Sequence, residues 1–206
     1  MTPELVTSYF THSDGRFAFA RWDRPLAPAI FGVSDESLPV IKGALETVAA
    51  IAGHCLTEVD RERGANFLVF FLRAWDELAP VPGLPDLIGD VPAHIARLNA
   101  ADASQYRAFR FSDDGSLQAC FTFIRMDAST EHLPAEVIAL GLAVQGMLMW
   151  SDRAFAEASP LAALPDGGTI VRGEVANILR AAYDPAIPQA SDDPALALRL
   201  YARASR

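Results

Sequence analysis

The run Glu131–Phe155, EHLPAEVIALGLAVQGMLMWSDRAF, decides how this chain is read. From Val137 to Trp150 every residue is apolar or glycine except Gln145. A surface helix keeps its apolar residues on one stripe, so a run apolar on all sides predicts a helix, over about 133–150, buried nearly all round. Gln145 then needs a hydrogen-bonding partner, because a buried amide left unpaired costs roughly 1–3 kcal/mol. Pro134 fits the first turn of such a helix, where its missing N–H has no partner to lose. His132, four residues before Glu136, then falls outside the helix and reads as part of a solvated helix start.

Working outward, the two runs before this helix, Tyr106–Ser112 and Leu117–Arg125, alternate as strands do. Asp113-Asp114-Gly115 between them predicts a hairpin. Asn66–Leu72, NFLVFFL, is apolar on both faces and predicts a central strand covered on both sides. Leu38, Ile41, Leu45, Val48 and Ile51 recur at helical spacing. Ser34-Asp35-Glu36 offers capping oxygens ahead of them, Pro39 lies in the first turn, and Gly53 is a natural stop. Short strands are expected at Arg16–Trp22, Ala29–Val33 and His54–Val59, with a polar turn at Asp60–Gly64 and a short helix from about 92 to 101. Beyond the apolar helix, Asp166-Gly167-Gly168 reads as a turn and 173–183 as a helix. A last helix opens at Ser191-Asp192-Asp193, with Pro194 at its first helical position, and runs to about 203. No repeat, linker or low-complexity segment interrupts this order. One domain over 1–206 is expected, with a core of about 16–155 and a smaller helical region over 156–206. The fold class is α+β: a mostly antiparallel twisted sheet packed on two long helices, 35–52 and 133–150.

Composition sets outer limits. Apolar residues make up 51% of the 206 residues and charged residues 21%, enough for a packed core and unlike a disordered chain. A net charge of −9, with 26 acidic residues against 17 scattered basic ones, argues against a nucleic-acid partner or an anionic membrane surface. Lys42 is the only lysine; with so much arginine and alanine, this points to a high-GC, bacterial genome. The N-terminus shows no basic start followed by an apolar run, and Val137–Trp150 is too short to span a bilayer. A cytoplasmic location without a membrane span is therefore expected. Cys55 and Cys120 both lie in apolar, strand-like contexts and read as free thiols filling the core.

The residues also carry a resemblance. Gly141-Leu142-Ala143-Val144-Gln145-Gly146-Met147-Leu148-Met149-Trp150-Ser151-Asp152, with Leu179-Arg180-Ala181-Ala182-Tyr183-Asp184-Pro185 downstream, resembles an uncharacterised proteobacterial family of zincin-like proteins. Some members of that family are labelled as lipoproteins. Its helix ends approximately Glu-Glu-Leu-x-Gln-x-Leu-Gly-Leu-x-Asn-Asp, and a Leu-Tyr-Asp-Pro run follows its next helix. The resemblance spans about residues 25–190 and implies a metalloprotease-type core. In zincins this helix carries His-Glu-x-x-His, two zinc-binding imidazoles one turn apart with a glutamate base. Here Gly141, Leu142 and Gln145 stand at those positions. None is a serviceable zinc ligand or base, so the resemblance implies a degenerate core without metal or other cofactor. The missing secretion signal departs from the lipoprotein members.

Other chemistry is sparsely signalled. His12, His54, His94 and His132 are far apart and form no short ligand pair. His54 and Cys55 would point to opposite faces of a strand, and so could not form a catalytic thiolate–imidazole pair. No serine-hydrolase elbow, Walker loop or dinucleotide-binding glycine motif is present. Asp113, Asp114, Asp192 and Asp193 sit in turn or cap positions, where local hydrogen bonds explain them. Gln145 and Asp152, seven residues apart and on about the same helical face, are the candidate ligand-binding residues. The plainer alternative has Gln145 bonding a neighbouring strand's backbone and Asp152 capping a following turn. Tyr9, Phe10, Phe17, Phe19 and Trp22 crowd the N-terminus and fit either packing on the chain's own core or a homodimer contact. The functional expectation is a non-catalytic binding or assembly protein, a pseudoenzyme with a protein partner or a second copy of itself. A hydrolase-like enzyme using cleft carboxylates or a cysteine, and a homo-oligomeric structural component, are the alternatives.

Overall fold

NFLVFFL lies where its two apolar faces require, in the middle of a covered sheet. The computed structural model describes residues 1–59 and 64–206. In chain order the elements are α1 (Pro3–Ser8), β1 (Phe19–Ala20), β2 (Pro28–Phe31), α2 (Leu38–Ala52) and β3 (Phe67–Leu72). A 3-10 turn (Trp75–Leu78), α3 (Leu84–Ile88), α4 (Val91–Ala100), β4 (Gln105–Phe111), β5 (Leu117–Arg125) and α5 (Ala135–Met147) follow. The chain ends with β6 (Leu161–Ala163), β7 (Thr169–Val171), α6 (Gly173–Ala182), β8 (Ala190–Ser191) and α7 (Ala195–Ala204). The class is mixed α and β. Among the described residues no helix is long and apolar enough to cross a membrane.

The central sheet has the order β2-β3-β5-β4. Phe67 and Val69 of β3, with Phe71 partly buried beside them, face a cluster built by α1, α2, α5, α6 and α7. Leu68, Phe70 and Leu72 face a second cluster formed by Trp75, Leu78, Leu84, Val91, Ile95 and Leu98. The expectation of a mostly antiparallel sheet fails here, because β3 pairs parallel with both β2 and β5. The physical reason is connection length. Helices separate β2 from β3 and β3 from β5, and such crossovers return strands in the same direction. Within this sheet only the tight turn at Asp113-Asp114-Gly115 gives an antiparallel pair, β4 with β5, with Gly115 at φ +82°; the small pairs β1–β8 and β6–β7 are antiparallel too. β4 is thus an edge strand.

Helix α5 packs along α2 and touches β5, β6 and β7, and it meets β3 where Gly146 lies on the Phe67 ring. It ends at Met147, short of the expected 150. Leu148 turns extended to bridge Arg21, and Met149 N–H donates to Ala20. A helix that ends inside the protein leaves carbonyls without intrahelical partners. Aromatic donors take three of them: Trp150 Nε1 donates to Val144 (3.0 Å), Trp22 Nε1 to Gly146 (2.9 Å) and Tyr183 OH to Met147 (2.7 Å). Gly146 also allows the helix to touch the sheet, since a Cβ there would stand 2.3 Å from the Phe67 ring.

Several expected elements are shorter than drawn. Arg16–Trp22 contains only the two-residue β1 and isolated bridges at Phe17, Arg21 and Trp22, while β2 replaces Ala29–Val33. His54–Val59 forms one bridge, Leu56 to Leu26, and of the turn at 60–64 residues 60–63 lie outside the described residues. Helix α2 stops at Gly53 in the left-handed conformation, as read, but its N-cap is Ser37, which makes no capping bond. Pro194 is the N-cap of α7 rather than its first helical residue. Cys55 is exposed, against the expectation of a core thiol, because the strand meant to bury it does not form. Tyr9, Phe10, Phe17, Phe19 and Trp22 are all buried in the chain's own core, with Phe10 stacked on Trp150 at 5.4 Å. Helices α6 and α7 share that same core.

Candidate functional site

Alternation along β4 divides its side chains. Tyr106 and Ala108 pack into the cluster beneath the sheet, so Gln105, Arg107 and Phe109 rise on the side of α5. On α5, Gly141 and Gln145 are four residues apart and share one face. Between strand and helix lie two clefts. One, about 190 Å³, is lined mainly by apolar groups: Ile124, Leu133, Val137, Ile138, Gly141 and Leu142. The other, about 470 Å³, is polar and is bounded by Asp152, Phe155, Glu157 and Pro160. Gln105 and Gln145 line both and mark the junction. The two candidate residues, Gln145 and Asp152, therefore face the same polar cleft, although Asp152 lies beyond the helix end.

Gln145 does not bond a strand's backbone. Its Oε1 accepts a hydrogen bond from Nη2 of Arg107, which projects from β4 opposite the fully buried Thr122. This is the only hydrogen bond of the Arg107 guanidinium among the described residues, and no carboxylate pairs with it. Its Nε is buried and has no partner. Burial pulls the Arg107 pKa below the ordinary arginine value. Arg21, Arg24 and Arg203 likewise keep a buried Nε without a hydrogen-bond partner, so this feature is not peculiar to Arg107. Sequence reasoning missed Arg107. Its pattern, QYRAFRF, puts one arginine on each face of the strand, and nothing in it says which arginine is the buried one.

Asp152 caps backwards along the chain, not a following turn. Its Oδ1 accepts from the Ser13 backbone N–H (2.9 Å) and lies 3.4 Å from His12 Nδ1. The Ser13 hydrogen bonds hold the carboxyl below the usual aspartate value. The aspartate thereby ties the N-terminal segment to the end of α5.

The positions aligned with the zinc ligands supply no donor set. Gly141 has no side chain, Leu142 is buried apolar, and the amide oxygen of Gln145 is taken by Arg107. Among the described residues, no cluster of three or more His, Cys, Asp or Glu could hold a metal ion. The residues present do not fit zinc. Cys120 is fully buried, and burial pushes its thiol up to about 11; its polar contact is Thr122 Oγ1 at 3.5 Å. A thiol so protonated is a poor nucleophile at neutral pH. His132 is exposed in the turns before α5, as expected; His54 Nε2 donates to the Arg24 carbonyl (3.0 Å), and its ring packs on Tyr183.

No protein-family model matches the chain, and no curated protein or solved structure shows significant similarity to it.

Proposed function

We propose that this chain is a non-catalytic binding protein built on a degenerate zincin-like core, and that the cleft between β4 and α5 is its binding site. The reading rests on the face of α5 that carries Gly141 and Gln145. Those residues stand one turn apart beside a sheet edge, where a zincin would present two imidazoles, and they open into the junction of two clefts. The element order supports it: a strand and long helix, two further strands and a hairpin partner precede the buried helix. Replacing ligands by glycine, leucine and an amide removes metal-activated water while leaving a walled depression that still excludes solvent on one side.

Metal analysis of the purified protein tests the proposal. The expected result is zinc far below one per chain after a mild chelator, with no hydrolysis of peptide or ester substrates above background. Zinc near one per chain that survives the chelator, together with hydrolysis, would defeat it.

A further inference from the structure

We infer that residues 153–158 form a strap that swings open from the core, latched shut by the ring of Phe155 against the strain of that residue's own backbone. Phe155 sits at φ +63°, in the left-handed region that glycine adopts freely and a bulky side chain resists. The other non-glycine residue with a positive φ among the described residues, Asp102, is of a type that tolerates this region. A bulky residue held there is strained, and the strain persists only while its surroundings impose it. Here the surroundings are two rings: Phe155 lies 4.9 Å from Trp150, edge to face, and 5.2 Å from Tyr9. Burial of the ring favours the closed strap and relief of the backbone favours the open one. The two forms are therefore closer in free energy than ring burial alone would set them.

The ends of the strap are fixed and its middle is not. Before it, Ser151 donates through N–H to Tyr9 (2.8 Å) and through Oγ to Ser8 (3.1 Å), and Asp152 accepts from Ser13. After it, Arg172 donates through N–H to Pro160 (2.9 Å) and through Nε to Ser159 (2.8 Å). Between these anchors the described residues show two hydrogen bonds, Ala154 N–H to Ser151 and Ala156 N–H to Arg153, and both are local turns. Only Ala154 and Phe155 pack on the core; Arg153, Ala156, Glu157 and Ala158 are exposed. The strap is also a shared wall. Ala154, Phe155, Ala156, Glu157 and Ala158 line both the polar cleft beside Gln145 and a cleft of about 790 Å³ against α1. Opening the strap joins the two clefts and widens the way to Gln145. That consequence rests on the binding reading given above; the latch does not.

Native-state proteolysis of the full chain tests this, with trypsin cutting after Arg153 and a glutamate-specific protease after Glu157, one bond on each side of the latch. When opening and closing are fast, such cleavage tracks the population of the open form. Phe155→Ala removes the ring and keeps the strained backbone, so cleavage at both bonds should rise by roughly tenfold to a hundredfold. Phe155→Gly removes ring and strain together and should be cut roughly fivefold more slowly than Phe155→Ala. That ordering is the signature of the latch, since in an unstrained loop glycine would give the faster cleavage. Cleavage after Arg125 in β5 should stay within about twofold of the parent in both variants, because the opening is local. Cleavage at Arg153 and Glu157 unchanged by loss of the ring, Phe155→Gly cut as fast as Phe155→Ala or faster, or an acceleration shared equally by the Arg125 bond would each overturn the inference. Should neither variant fold, Phe155→Leu decides: with part of the plug kept it should be cut several-fold faster than the parent, and cutting at the parent's rate would overturn the latch. A chain that carries zinc and hydrolyses peptides would sink the non-catalytic reading, yet leave these cleavage ratios as they are.

Discussion

The C-terminal end of α5 and the cleft face one turn before it are built from the same few residue types to opposite ends. At the end, Gly146 presses on Phe67, and two indoles and a phenol occupy the carbonyls that the helix leaves over. On the cleft face, a Cβ at Gly141 would meet nothing within 4 Å, and behind it Gln145 and Arg107 bond to one another and, among the described residues, to no other side chain. At one place aromatic donors reach three of the left-over carbonyls; the other holds a charge with no carboxylate partner among the described residues. The contrast teaches that glycine in a buried helix has no single meaning. At one position it is the condition for packing, and at the other it is room.

Substituting the glycines is the sharpest way to break this contrast. Gly146→Ala puts a methyl into the buried Phe67 ring, which cannot swing aside because Trp22 packs against it. Overpacking of this kind costs about 1–3 kcal/mol, and the upper end is expected here. Chemical denaturation should show a lowered midpoint with unchanged slope. Equal stability would mean that the helix can lift from the sheet and that the end is not sealed as described.

Next in size is the cap itself. Tyr183→Phe keeps the ring but removes the donor to Met147, leaving a buried carbonyl unpaired at a cost of about 1–2 kcal/mol. Burial holds the phenol well above its ordinary pKa, so no ionised form complicates the comparison near neutrality. A loss no larger than a few tenths of a kcal/mol would show that water reaches the helix end.

Gly141→Ala should act in the other direction. With open space around the new Cβ, only helix propensity is left to change, and alanine is better than glycine by about 0.5–1 kcal/mol inside a helix. A raised melting temperature is expected. A fall would mean that the cleft closes on this face in solution and that Gly141 is a packing residue after all.

Why the two places differ in how readily they could be read from the chain is itself physical. Val137–Trp150 announces a buried helix because apolarity on every side has one structural outcome. NFLVFFL announces a doubly covered strand for the same reason, and both lie where expected. The direction of the strands was not legible, since it depends on what the connections do between them. Nor was the helix end: Leu148 and Met149 look helical by composition, and only the distant partners Arg21 and Ala20 pull them into an extended path. α1 was missed because six residues are too few to show a period. At the candidate site, Gln145 stood out as one amide in an apolar run. Arg107, its partner, stayed hidden among the arginines of an edge strand, where a charge is the common case.

The smallest effect concerns the tie at the far side of the polar cleft. Asp152 is held below the usual aspartate pKa by Ser13, so the folded state favours the ionised carboxylate. A group with a depressed pKa contributes stability that is complete above its unfolded value, near 3.8, and is lost as pH falls through the lower folded value. The side chain is about half exposed, at 52%, so screening limits the contribution to roughly half a kcal/mol. Asp152→Asn should therefore be slightly less stable than the parent at neutral pH, and the difference should close as the pH is lowered below about 4. A difference that persists unchanged at low pH would show that the amide disturbs the Ser13 turn sterically. The N-terminal segment would then be held mainly by the Phe10–Trp150 stack and by the Ser151 hydrogen bonds to Tyr9 and Ser8.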